Sequence, residues 1–177
     1  MTPGRLDRTG NDLDIAINGE GWFVLETEDG TELFSRVGHF NIDEERNIVG
    51  LQDYPLLGED GDFITLKEED HNIEISRDGT VSTENGVRGR LKLVEFENEE
   101  AMTKVDSGLY ASSELPTDID VEETDVQQGM LELSNVNSIL EMTRMIKVLR
   151  AYQSGQKLLQ TDHDLELKAI QELTAVK

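Results

Sequence analysis

The chain has no cysteine, which excludes disulfides and thiolate metal sites, although a cysteine-free protein fits any redox compartment. Aromatic residues are scarce, at 5% against 36% hydrophobic residues overall, so any core must be largely aliphatic. No apolar run approaches the roughly 20 residues that a membrane-spanning helix needs. Met1–Asp14 also lacks the apolar heart of a secretory signal. Direct membrane insertion is therefore not expected, and any export should proceed without a cleavable signal peptide. Basic charge is equally thin. Sixteen Lys and Arg face 38 Asp and Glu, for a net charge of −22. Phosphate backbones and anionic lipid surfaces both require a basic face, so neither nucleic acid nor a membrane surface is an expected partner.

The acidity is unevenly placed. Residues 138–177 hold six Lys or Arg and five Asp or Glu, a net of +1, which leaves −23 on residues 1–137. A chain of 177 residues makes one domain or two small ones, and the charge places a change of character near Ser134. At the other end, Thr2-Pro3-Gly4 reads as the middle of a linker, with residues 1–12 a linker and the natural start expected further upstream.

From Leu13 the pattern has period two. Leu13, Ile15 and Ile17 alternate with Asp14, Ala16 and Asn18, as in a strand buried on one face. The turn Asn18-Gly19-Glu20-Gly21 leads to a strand at Trp22–Leu25, and Asp29-Gly30 marks a hairpin into Leu33–Val37. Phe40–Ile42 and Asn47–Leu51 pair around Asp43–Arg46. Tyr54–Leu57 is a short apolar knot, followed by Phe63–Leu66, and Asn72–Ser76 and Thr80–Thr83 flank Arg77-Asp78-Gly79. Arg90–Phe96 reads as a strand with Leu91 and Leu93 on one face, and Leu109–Ser112 and Gly129–Leu133 as weaker ones. Roughly eight or nine short strands predict a mainly β domain over 13–133, an antiparallel twisted sheet or partly closed barrel. The acidic stretch 113–125 is expected to be a surface connection.

After Asn137 the pattern becomes helical. Ser138 with Glu141 reads as a capping box, and Asn135 or Asn137 could cap equally well; up to Val176 there is no proline and one glycine, Gly155. About 40 helical residues would span roughly 60 Å, too long to fold back on a small β domain, so this C-terminal amphipathic helix (134–177) is expected to project. Its apolar positions form two stripes. One has heptad spacing through Ile139, Met142, Ile146 and Leu149, continuing through Gln153, Gln156, Gln160, His163, Leu167 and Ile170. The other runs through Met145, Val148, Tyr152, Gly155 and Leu159, about 80–100° around the cylinder. Two adjacent stripes suit a helix with neighbours on two sides, and polar Gln at seam positions fixes register. A wide apolar face also suits an ordinary core helix, but no second long amphipathic helix exists to pair with it. Ile139, Met142, Met145, Ile146, Val148, Leu149, Tyr152, Gln153 and Leu159 are the predicted subunit-interface residues.

Catalytic patterns are missing. His39, His71 and His163 share no ligand spacing, and neither Asp60-Gly61-Asp62 nor Asp78-Gly79 completes a calcium loop. Gly19-Glu20-Gly21 reads as a turn, and no Gly-x-Ser-x-Gly elbow occurs. No enzyme activity, cofactor, metal or small-molecule substrate is expected.

Several segments carry a resemblance. Thr9-Gly10-Asn11-Asp12-Leu13-Asp14-Ile15-Ala16-Ile17-Asn18-Gly19-Glu20-Gly21-Trp22-Phe23 resembles the TGN-x-LD-x-AI-x-G-x-G-[FW]-F motif of bacterial flagellar rod and hook proteins. Phe34-Ser35-Arg36-Val37-Gly38-His39-Phe40 is similar to their [YF]-[TS]-R-x-G-x-F segment. Tyr54-Pro55-Leu56-Leu57-Gly58 is similar to their GYP-type knot, with Asp53 where glycine is usual. Ser134-Asn135-Val136-Asn137, Glu141-Met142 and Arg150-Ala151-Tyr152 resemble their terminal helix. The family positions are therefore Thr9, Gly10, Asn11, Leu13, Asp14, Ala16, Ile17, Gly19, Gly21, Phe23, Arg36, Gly38, Pro55, Ser134, Asn135 and Asn137.

The resemblance implies a structural rod subunit of the flagellar basal body, self-assembling into a shaft that transmits torque. It implies a periplasmic location and passage through the flagellar export apparatus. It also implies contacts with copies of itself and other rod proteins through terminal helices, including an N-terminal helix that this sequence does not contain. Gly89-Arg90-Leu91-Lys92-Leu93-Val94 is most similar to the proximal rod type; a distal rod or hook-type axial protein is the alternative. A secreted β-type binding or adhesin module is the alternative of a different class.

Overall fold

The computed structural model describes residues 4–119, 125–133 and 138–175, with helix side chains at 142–160 and 162. The chain divides into two compact units, 1–135 and 136–177.

The first unit is built from short antiparallel strands. They are β1 (Leu6–Arg8), β2 (Ile15–Asn18), β3 (Trp22–Glu26), β4 (Glu32–Ser35), β5 (Asn41–Ile42), β6 (Ile48–Val49), β7 (Ile73–Ile75) and β8 (Thr80–Thr83). There follow β9 (Gly86–Arg90), β10 (Leu93–Glu95), β11 (Thr103–Asp106), β12 (Leu109–Ala111), β13 (Thr117–Asp118), β14 (Asp125–Gln128) and β15 (Met130–Glu132). The largest sheet has the order β11-β12-β4-β3-β10-β13, a second has β7-β8-β9, and β1-β15, β14-β2 and β5-β6 form pairs. None of these sheets closes into a barrel.

Strand β3 lies at the centre of the packing. Phe23 and Leu25 join one apolar cluster with Ile15, Phe40, Ile48 and Leu56. Trp22 and Val24, on the opposite face of the strand, join another with Phe34, Leu57, Val94 and Phe96. Both faces are thus buried, as in a central strand covered on two sides. The few aromatic rings concentrate here: Phe23–Phe40, Trp22–Tyr110 and Phe34–Phe96 meet edge to face at centroid distances of 5.1, 5.1 and 4.7 Å. Such pairs add about 0.5–1.5 kcal/mol each beyond area burial.

Several local expectations change. The half-buried alternation expected over Leu13–Asn18 does not hold, because Asp14 and Ala16 are buried as well as Ile15 and Ile17. The Arg90–Phe96 run is not one strand. Arg90 ends β9 in the three-stranded sheet, Leu91 bridges Gly58, and β10 begins at Leu93 in the six-stranded sheet. The chain turns a corner between sheets, and burial shifts phase to Leu91, Val94 and Phe96. Phe63–Leu66 makes only isolated bridges, from Phe63 to Leu57 and from Thr65 to Asn47. Leu6–Arg8, read as linker, is β1, and the stretch read as a surface connection contains β13 and the first residue of β14.

The second unit is one helix, α1 (Ser138–Ala175), of 38 residues and so about 57 Å long at 1.5 Å per residue.

Candidate functional site

Several of the described family positions gather where the two ends of the β unit meet. Asp14 is buried, and its carboxylate accepts from His39 Nδ1 at 2.6 Å and Asn11 Nδ2 at 3.3 Å. Burial opposes its charge, but hydrogen bonds from Thr9, His39 and Asn11 and the coulombic pull of His39 outweigh that effect and hold the carboxyl below its ordinary value. The Asp14 carbonyl accepts the Gly129 and Met130 amides at 2.7 and 3.3 Å, while Thr9 and Gly10 donate their amides to the Gly129 carbonyl at 2.9 and 3.1 Å. A buried aspartate just before β2 therefore joins the start of the unit to its end.

Gly38 makes a close backbone contact. Its carbonyl accepts the Ile15 amide at 2.8 Å, and a Cβ here would lie 1.6 Å from the Ile15 carbonyl oxygen. Arg36 donates Nη1 to the Gly21 carbonyl at 3.0 Å, Nη2 to the Gly19 carbonyl at 2.8 Å and Nε to Glu132 at 3.1 Å. Gly19 and Gly21 have φ of 138° and 135°, backbone that suits glycine. Leu13 accepts the Phe40 amide, and Pro55 accepts the Glu26 amide. Ala16, Ile17 and Phe23 belong to the core. Ser134, Asn135 and Asn137 lie outside the described residues.

The predicted interface residues have a different setting. Met142, Met145, Ile146, Val148, Leu149, Tyr152 and Leu159 are between 51% and 73% exposed, a level that ordinary core side chains do not show, and Gln153 is exposed too. The Ile139 side chain lies outside the described ones. At 100° per residue, exposed Leu158 falls away from both stripes. Gln156 donates to the Tyr152 hydroxyl at 3.4 Å, a contact one turn along the helix.

Sequence reasoning missed two carboxylates of the β unit, one in this constellation and one outside it. Glu132 had no motif to announce it, and Asp70 is a buried carboxylate held by Arg88, Asn85, Thr83 and the Lys67 amide. Two clefts, of about 30 and 240 Å³, flank Arg90, whose guanidinium pairs with Asp78 and Glu59. Among the described residues no group of three or more His, Asp or Glu is placed to hold a metal ion. No described helix is long and apolar enough to cross a membrane.

The first and last strands of the β unit are thus bonded together, and the described part of the long helix exposes apolar side chains, the two features that any assembly role would use. Residues 16–83 match the flagellar hook protein FlgE/F/G D1 domain, and residues 127–172 match the flagellar basal body rod FlgEFG protein C-terminal family. The chain is 32% identical over 174 residues to the flagellar basal-body rod protein FlgF of Caulobacter vibrioides, an alignment covering 98% of this chain and 70% of that protein. It is 33% identical over 177 residues to the FlgF of Escherichia coli K12, covering 93% and 69%. Against the flagellar basal-body rod protein FlgG of Bacillus subtilis 168 it is 32% identical over 183 residues, covering 96% and 67%. The chain belongs to the flagellar basal-body rod protein family, whose members are structural and not enzymes.

Proposed function

We propose that this protein is a subunit of the flagellar basal-body rod, of the proximal type, joined to its neighbours through the apolar stripes of α1. The observation that carries the reading is the run of exposed apolar side chains from Met142 to Leu159 on a family helix. A side chain of this size gains about 1.5–3 kcal/mol when fully buried, so several of them meeting another polypeptide supply a large driving force. Contacts repeated head to tail with a rotation that does not close build a helical filament, the geometry a shaft requires. The protein reaches the periplasmic rod through the flagellar export apparatus, and copies of itself and other rod proteins are its partners.

What favours the proximal type is the stretch Gly89–Val94, which forms the corner between the two larger sheets. Relatives named FlgF and FlgG match at similar identity, so the distal type is the second reading.

The test is made in the bacterium that produces the protein. Deleting its gene should abolish motility and leave cells without hooks. An antibody against the β unit should label the proximal part of the rod in purified basal bodies. Label on the distal part would select the distal type, and unlabelled basal bodies would end the rod reading.

A further inference from the structure

The strands at the two ends of the β unit lie side by side. Leu6 of β1 sits opposite Glu132 of β15, and Arg8 opposite Met130. Residues 4–5 and 132–133 are thus neighbours at one end of a three-residue ladder. Pulled apart from that end, so short a ladder would open one bond at a time.

A largely buried ion pair closes that end. Glu132 accepts the Gly4 amide on Oε1 at 2.6 Å and Arg36 Nε on Oε2 at 3.1 Å. The Arg36 and Glu132 side chains are only 15% and 14% exposed, so water has little access to replace either partner. The other two arms of the guanidinium hold the Gly19 and Gly21 carbonyls, in the turn between β2 and β3. Gly4 packs so closely that a Cβ would lie 1.8 Å from the Leu133 carbonyl oxygen, and Leu133 donates its amide to the Arg5 carbonyl at 2.9 Å.

We propose that Arg36 and Glu132 form a mechanical clamp at this mouth of the β unit. Force arriving along the chain at either end passes from Glu132 through the guanidinium into the Gly19–Gly21 turn, and from there into β2 and β3. It does not peel β15 from β1. Arginine suits the task because its planar fork donates in three directions at once, which a lysine ammonium at the end of a flexible stem does not reproduce. Removal of either partner leaves the other buried without its counter-charge. The use of the clamp in the cell rests on the rod reading, but its strength is a property of the isolated chain. A failed force measurement would therefore overturn the clamp, whereas unlabelled basal bodies would overturn the rod reading.

The absence of cysteine lets single-molecule handles be placed at will. Arg5→Cys with Tyr152→Cys loads the mouth, and Asp29→Cys with Asp60→Cys loads the same unit elsewhere. In Arg36→Met and in Glu132→Gln, the unfolding force at the mouth should fall roughly twofold or more, with little change between positions 29 and 60. Arg36→Lys should restore only part of it. Hydrogen exchange at the Leu133 amide should quicken about tenfold in Glu132→Gln while the Val24 amide holds its rate. An equal loss of force in both geometries, or an unchanged force at the mouth, would overturn the clamp. Glu132→Gln preserves side-chain size, so it carries the test if Arg36→Met fails to fold.

Discussion

Asp70 is a carboxylate almost fully removed from solvent, in a unit whose net charge is already strongly negative. Arg88 makes this tolerable by donating Nε and Nη2 to the two carboxylate oxygens at 2.5 and 2.6 Å, with Asn85, Thr83 and the Lys67 amide completing the shell. The hydrogen bonds from Arg88, followed by those from Asn85, Lys67 and Thr83, outweigh the cost of burial and hold the carboxyl far below its ordinary value of 3.8. The sign of the pH dependence follows. A carboxyl depressed in the folded state contributes its full stability above the unfolded value and loses it as pH falls through that value and below. Urea midpoints should therefore drop between about pH 5 and pH 3. Asp70→Asn should lower the midpoint at pH 7 and flatten the acid slope, leaving the share owed to Asp14, Asp78 and Glu84, which are also held low. An acid slope identical to that of the parent protein would remove Asp70 from this role. Neither Asp70 nor Glu132 was legible in the sequence, since among 38 acidic residues a buried one looks like any other.

At the scale of elements, hairpins with Asp-Gly turns were the most readable. Asp29-Gly30 joins β3 to β4 and Asp78-Gly79 joins β7 to β8, because left-handed backbone at the turn leaves few residue choices. Strands of two to four polar residues were not readable: β1, β11, β13 and β14 are too short to show a period, and β1 finds its partner more than a hundred residues away in β15. The helix was legible through its length and its lack of breakers, and the structure begins it at Ser138, while the cap itself lies outside the described residues. Its apolar side chains allow a separation of folding from assembly. Leu149→Asp alters an exposed position and should change the stability of the isolated chain by no more than about 0.5 kcal/mol. The same change should abolish incorporation into basal bodies, measured by immunoblot of the purified organelle. Normal incorporation would exclude Leu149 from the subunit contact.

Across the whole molecule, charge and apolar surface are segregated. Residues 1–137 carry −23 and residues 138–177 carry +1, so in the proposed assembly the acidic β units would repel one another while the apolar stripes of the helices supply the attraction. Debye screening acts beyond about 8 Å at 0.15 M salt. Polymerisation of the protein, followed by light scattering, should accordingly be slower at 0.01 M than at 0.15 M salt, and equal rates would show that the acidic surfaces do not approach one another. The paired ends of the β unit have one more consequence. Everything between β1 and β15 is a closed excursion from a single point of attachment, so the excursion can lengthen without moving that point. Doubling the length of a flexible loop costs only about 0.6 kcal/mol, and turns such as the one at Gly61, where an added Cβ meets nothing within 4 Å, have room to grow. Size variants of this architecture can thus diversify their outer parts while the seam that receives the chain stays the same.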